Sequence, residues 1–301
     1  MHGPAPTAPA SDDSYRLRST FHVPPAEFDG CFTSFYHLDL AVEDGFVVSD
    51  HMQPEWGSMR FFAGNRPHAS IGDTRLDDVC FGASGPTSRP TYFSLGTARV
   101  WGIGFLPLGW ARAVDCDACD LADTIVDGQD HPAFAKYRAL TEVLCDADAD
   151  ADPEAQLAAI GEVLRAQMRP HREEDKILRV HTALIDPGST SVGTFAARSD
   201  MSVRSLERIC LKHFGFPPKL MLRRQRLMRS LTAFMMHPQH KWTDVLDEGY
   251  HDQSQFSREF RAFMGVSPRE YVDQPHPFLD SFIEARARSL GSPALTLDPP
   301  A

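Results

Sequence analysis

SVGTFAARSDMSVRSLERICLKHFG, residues Ser191–Gly215, and WTDVLDEGYHDQSQFSREFRAFMGVSPREY, residues Trp242–Tyr271, each spell a helix, a tight turn and a second helix. In the first stretch Ser191 is placed to cap a helix whose inward residues are Val192, Phe195 and Ala196. The turn falls at Ser199-Asp200-Met201, and Asp is among the few residues that tolerate a left-handed backbone there. Ser202 caps the next helix by accepting from its free backbone donors. Leu206, Ile209, Cys210 and Phe214 recur at three- and four-residue steps and form its buried face. Arg204, Ser205, Glu207, Arg208 and Lys212 fall off that face, and two arginines in the first turns are what entry into a major groove requires.

The second stretch repeats the scheme. Trp242, Val245, Leu246 and Tyr250 are expected to line a supporting helix ended by Gly249, and Asp252-x-x-Gln255 reads as a capping box. The helix that follows buries Phe256, Phe260 and Phe263. It presents Gln253, Ser254, Gln255, Ser257, Arg258 and Arg261, of which Gln suits an adenine edge and Arg suits guanine or phosphate. Between the stretches, Pro217-Pro218 start a helix expected to reach Met236, since proline favours a first helical position. About 20 residues at ~1.5 Å each span roughly 30 Å, close to one DNA turn of ~34 Å. Arg223, Arg224, Arg226 and Arg229 on this rod are positioned for phosphates, as are Lys212 and Arg261 beside it.

The rest of the chain bounds the reading. At 301 residues two domains are the natural expectation. Residues 181–275 carry 13 Lys and Arg against 10 Asp and Glu, while the remainder carries 17 against 31. The net charge of −11 is therefore confined to the other part, and a mildly basic module still suits DNA. From about 15 to 110, short runs such as CFTSFYHLDL, GFVVSD and ARVWGIGFLPL alternate with Gly, Pro, Asn and Asp and read as strands of a barrel or sandwich. Residues 132–144 and 154–168 turn helical, with the solvated loop DADADADPE between them. MHGPAPTAPASDDS has neither a basic start nor an apolar run and reads as a disordered leader rather than a signal peptide. Six scattered cysteines read as free thiols in a reducing cytoplasm. No run reaches the ~18 apolar residues of a membrane span.

Chemistry is weighed and set aside. Cys116-x-x-Cys119 lacks the second pair a metal or redox site needs, and His22, His37, His51 and His68 never take the spacing of a cupin metal site. No phosphate-cradling glycine loop or nucleophile elbow is present. No catalytic residue, metal or cofactor is expected.

The C-terminal third resembles the DNA-binding domain of the AraC/XylS family of bacterial transcription regulators. The residues that carry the resemblance are Met201-Ser202-x-Arg204-x-Leu206-x-Arg208, Gly215 and Arg226-Leu227. With them stand Gly249-Tyr250-x-Asp252-Gln253-Ser254-x-Phe256-x-Arg258-x-Phe260 and Gly265-x-Ser267-Pro268-x-x-Tyr271. The resemblance implies base reading by Arg204, Glu207 and Arg208 in one helix and by Gln253, Ser254, Gln255 and Arg258 in the other. Two departures stand out: Trp242–Gly249 is one residue shorter than similar sequences, and Glu207 is an acid where neutral polar residues are common. The N-terminal part resembles cupin-like sensing domains through Gly102-x-Gly104-Phe105-x-Pro107.

The fold expected is α+β: a disordered leader (1–14), a β-rich cupin-like barrel or sandwich with a helical end for sensing or dimerisation (15–180), an all-α domain with two helix-turn-helix units (181–275) and a flexible tail (276–301). A fragment from Asp186 to Pro275 is expected to fold alone. The function expected is cytoplasmic, sequence-specific regulation of transcription. The expected partners are double-stranded DNA, the transcription machinery, and either a small-molecule effector or a second copy of the chain at the N-terminal domain, with no membrane. The alternative is a barrel enzyme, or an alkyl-accepting thiol protein, fused to a DNA-binding module.

Overall fold

The computed structural model describes residues 14–146, 151–237, 239–291 and 295–300. The expected leader lies outside them apart from Ser14, as does part of the acidic loop after Cys145. The β-rich part is built from ten strands in two antiparallel sheets. Sheet one orders β1 (Tyr15–His22), β2 (Phe32–Val42), β9 (Ala98–Phe105), β4 (Ser58–Gly64), β7 (Phe81–Ser84) and β10 (Ile125–Asp127). Sheet two orders β3 (Val48–Met52), β8 (Thr91–Leu95), β5 (His68–Ile71) and β6 (Thr74–Asp77). Gly102 earns its place in β9 because a Cβ there would lie 1.9 Å from the Tyr36 ring. Only glycine lets that ring lie flat on the neighbouring strand.

Helices α1 (Pro107–Ala113), α2 (Ala139–Leu144) and α3 (Pro153–Gln167) cover sheet one, and Trp101 Nε1 ties the sheet to α3 through Gln156 Oε1 at 2.8 Å. Then come α4 (Glu174–Ile185), the first unit α5 (Val192–Arg198) and α6 (Val203–Ile209), and the rod α7 (Pro218–Met236). The second unit's α8 (Gln253–Met264), α9 (Pro268–Asp273) and α10 (Leu279–Leu290) complete the order.

The hydrophobic core does not stop where the sequence suggests a boundary near 180. Phe195, Leu206, Ile209, Phe214, Phe216 and Met221 share one continuous cluster with Trp56, Phe105, Trp110 and Ala118 of the β-rich part. The second unit has its own core of Leu227, Leu231, Phe256, Phe260, Phe263 and Tyr271. The fragment 186–275 would therefore bare one side of its first unit. Its unfolding is expected to be broad and non-cooperative in circular dichroism, while the full chain melts cooperatively; an equally sharp transition would show that the first unit needs no partner surface.

The segment expected to be a flexible tail is helical and packed. Phe278, Leu279, Phe282 and Ala285 are buried against Phe21, Tyr36, Leu38 and Met52. The sequence LDSFIEARARSL carries apolar residues at helical spacing, and the sheet gives them a surface that no reading of the tail alone supplies. The chain end then returns to the helices: Gln225 Nε2 donates to the Thr296 carbonyl at 2.6 Å, and Arg286 pairs with Asp298 at 2.5 Å.

His276 fastens the start of this strap. Its Nε2 lies 2.9 Å from the Tyr271 carbonyl and its Nδ1 3.4 Å from Asp50 Oδ1. Burial works against its charge, but both ring nitrogens face acceptors, and Asp50 with Asp280 raises the pKa above the usual 6.5. The nearby His51 ring is held below its usual value, by burial first. A raised folded pKa gives stability that is complete below about pH 6.5 and is lost as pH climbs through the folded value. His276→Gln should therefore lower the melting temperature more at pH 6 than at pH 9, and an identical shift at both would remove the imidazolium from the account.

Candidate nucleic-acid interface

Each recognition helix begins with a side-chain cap that fixes which residues point outward. Ser191 and Thr194 form a reciprocal capping box on α5, and Asp200 takes φ 52 in the turn. Ser202 then accepts from the Ser205 amide at 3.2 Å to start α6. Its inward residues Leu206 and Ile209 are fully buried, which leaves Arg204, Glu207 and Arg208 exposed and Ser205 half-buried. In α8, Asp252 accepts from the Gln255 amide at 2.6 Å, and Gln253, Ser254 and Arg258 are exposed. Gln255 is half-buried, and its Oε1 accepts from the His251 amide at 3.1 Å. It serves the cap first, which leaves only its NH₂ for a base.

The supporting helix expected from Trp242 to Gly249 is not formed. Trp242–Asp244 make a single 3-10 turn and the chain then bends to Gly249. Asp247 explains the break. Its amide donates to Ser230 Oγ, one carboxylate oxygen accepts from the Gly249 amide at 2.9 Å, and the other pairs with Arg229 at 2.5 Å. Such local bonds offer the backbone an alternative to helix. Trp242 still backs the recognition helix, stacked on Phe234 at 3.9 Å and packed on Phe256 and Phe260.

The arginines sort into spent and free. Arg224, expected to face phosphates, is 1% exposed and stacks 4.1 Å over the Trp56 ring. Arg223 and Arg226 share Glu259 at 3.0 and 2.7 Å, and Arg226 also lies over the Tyr250 ring. Arg261 faces Glu270 at 3.5 Å with both side chains in solvent, a pairing that DNA can displace. Arg204 and Arg258 have no ion-pair partner among the described residues. Lys219, which the sequence reading passed over, lines the cleft between α5, α7 and α8 with Arg223 and Arg258. Its place two residues after Pro217 was the available signal.

Arg208 is held from behind. Glu173, just before α4, bonds it at 2.7 Å and also faces His213 at 3.4 Å and Lys212 at 3.7 Å. The Arg208 bond, followed by that of His213, holds the Glu173 carboxyl down at about 2. A depressed carboxylate pKa contributes stability that is present above about 4.5 and is lost as pH falls toward 2. Glu173→Gln is expected to cost about 1 kcal/mol at pH 7, at the low end for a charged bond because Arg208 is half in solvent. Denaturant titrations at pH 7 and pH 2.5 should show that gap closing; a gap of equal size at both would locate the loss elsewhere.

The β-rich part holds an apolar cavity of about 50 Å³ between its two sheets, lined among others by Leu38, Phe62, Leu76, Phe93 and Val100. Its one charged wall residue, Arg60, is already engaged by Glu55 at 2.5 Å and by the Tyr36 hydroxyl at 3.0 Å. Burial comes first in pushing the thiols of Cys31, Cys116, Cys119, Cys145 and Cys210 up, which works against the thiolate that an alkyl acceptor needs. Among the described residues no group of three His, Cys, Asp or Glu is placed to hold a metal, and no helix is long and apolar enough to cross a membrane.

Residues 195–274 match the family of the helix-turn-helix domain. No curated protein matches the sequence. Among solved structures, ToxT from Vibrio cholerae aligns at 11% identity over 86% of this chain and 98% of its own, with a TM-score of 0.43. Wild-type ToxT from Vibrio cholerae strain SCE256, bound to an unsaturated fatty acid, aligns at 10% over 88% and 97%, with a TM-score of 0.41. The AraC-like transcriptional activator CuxR aligns at 13% over 71% and 86%, with a TM-score of 0.25. No residue role is carried over from them. Residues 195–274, with both capped recognition helices inside the match, are a helix-turn-helix domain.

Proposed function

We propose that α6 and α8 read two adjacent major-groove segments of one asymmetric DNA site, and that occupancy of the β-rich domain controls this reading. The observation that carries the proposal is the pairing of Arg204 and Arg258, both unspent, on two differently furnished helices hung from one rod. Helix α7 has 19 residues, about 28 Å at ~1.5 Å per residue, which suits a separation near one DNA turn. Arg204 and Glu207 of α6, and Gln253, Ser254 and Arg258 of α8, are the base readers in this reading. Ser205, Gln255 and Arg208 support them, the last turned partly toward Glu173. Lys219 and Arg261 serve phosphates, joined by Lys212 and Arg223 where a phosphate takes the place of Glu173 and Glu259. The cavity between the sheets takes a small apolar effector, and the β-rich domain acts as a sensor without catalysis. A second copy of the chain and the transcription machinery complete the partners in a cytoplasmic setting.

The test uses the full chain on a site selected from random DNA. Arg204→Ala or Arg258→Ala should cost on the order of 1–3 kcal/mol there and less on random sequence. Insertion of about five base pairs, half a turn, between the two protected segments should abolish tight binding. Equal losses on both DNAs would reduce the arginines to phosphate contacts, and indifference to the insertion would leave a single unit at work.

A further inference from the structure

We propose that Phe278 is a built-in plug of the cavity between the sheets, and that an uncharged apolar molecule entering the cavity displaces it and frees the strap that braces the second recognition helix. The inference rests on the effector reading above and names how that site is regulated.

The cavity wall is drawn from residues 36–125 with a single exception, Phe278, which lies some 150 residues further along the chain. Its ring meets Phe93 edge-on at 4.8 Å. With it in place only about 50 Å³ is open, whereas sites for drug-sized ligands run to roughly 300–1,000 Å³. A ligand of more than a few atoms must take the space that Phe278 occupies. The lining favours an uncharged guest, because the Arg60 guanidinium is already committed to Glu55 and Tyr36. A carboxylate would have to break that pair inside a mostly apolar cavity.

The plug is mechanically connected. The backbone amides of Phe278 and Leu279 both donate to Asp50 Oδ2, at 3.0 and 2.9 Å, and Asp50 is 3% exposed on β3. Two residues upstream, His276 packs on Tyr271 with ring centres 4.2 Å apart and planes tilted by 33°, and bonds its carbonyl. Tyr271 packs edge-on against Phe260 of α8 at 5.5 Å, and its hydroxyl accepts from Gln53 at 3.4 Å. From cavity to recognition helix the path is thus Phe278, His276, Tyr271, Phe260. Pro275 and Pro277 flank His276 and fix two of the backbone angles along it. Withdrawal of the Phe278 ring breaks the paired amide bonds to Asp50 and loosens the support behind α8.

The experiment titrates the full chain with the uncharged fluorophore N-phenyl-1-naphthylamine and follows amide hydrogen exchange across residues 268–290. Wild type should bind the probe, and exchange of the Phe278 and Leu279 amides should quicken at least tenfold when it is bound. Phe278→Ala should bind at least fivefold more tightly, since no ring has to leave, and Ala69→Leu, which fills the cavity, should weaken binding by a similar factor. Probe binding that depends on Ala69 but leaves strap exchange unchanged would overturn the plug while keeping the cavity as the effector site. Binding by neither wild type nor Phe278→Ala would remove the apolar effector site and the plug with it. The exchange measurement on wild type decides the matter even if Phe278→Ala folds poorly.

Discussion

Arg224 lies in the seam between α7 and the β-rich domain, with its guanidinium 4.1 Å over the Trp56 ring and Nη1 donating to the Thr87 carbonyl at 2.8 Å. Nε and Nη2 have no hydrogen-bond partner among the described residues. Burying a cation without a direct ion pair is expensive, and burial drives this group down to about 9. Asp123 acts against that shift, and the faces of Trp56 and of Phe216, at 4.1 and 5.7 Å, supply part of what water gave. Around this contact the first helix-turn-helix unit and the sheets share a core, so the placing of α6 is inseparable from the placing of the strands.

The two reading units are therefore not equivalent in mechanical terms. The first is welded to the β-rich domain through Phe195, Phe214 and Phe216 and their partners Trp56 and Trp110. The second rides on α7 with a smaller core of its own, steadied by the strap that runs from Tyr271 to Leu290 and by the Arg286–Asp298 pair. Helix α6 is thus joined to the β-rich domain by packed side chains, and α8 by a peptide segment. Of the two connections, the strap, held by hydrogen bonds to Asp50 and Tyr271 and by one apolar face, buries less than the shared core and is the more readily rearranged element.

Charge is disposed to the same end. The acid-rich N-terminal part does not merely dilute the basic module: Glu173 reaches across and organises Arg208, Lys212 and His213. Within the module, Glu259 and Asp247 hold three arginines of α7 against the fold. On the two recognition helices, Arg204 and Arg258 have no ion-pair partner among the described residues, and Lys219 at the start of α7 has none either.

The local pattern of the sequence was enough to determine the first unit's two helices and the second unit's recognition helix, with their caps and buried faces. Ser202 and Asp252 cap as their positions require, and Leu206, Ile209, Phe256 and Phe260 point inward as a 3.6-residue period demands. Those features arise within four residues, so a linear reading contains them. What only the tertiary structure decided depends on partners far away in the chain. Arg224 looks like another solvent-facing arginine of α7 until Trp56 arrives to cover it, and the residues after Pro275 look like a tail until β1 and β3 offer them a surface. Trp242–Gly249 reads as a helix until Asp247 finds Ser230 and Arg229, which bond it into a bend. The periodicity of a segment fixes which of its faces is apolar, but whether that face, or a charge beside it, is buried is set by the surface that long-range packing brings against it.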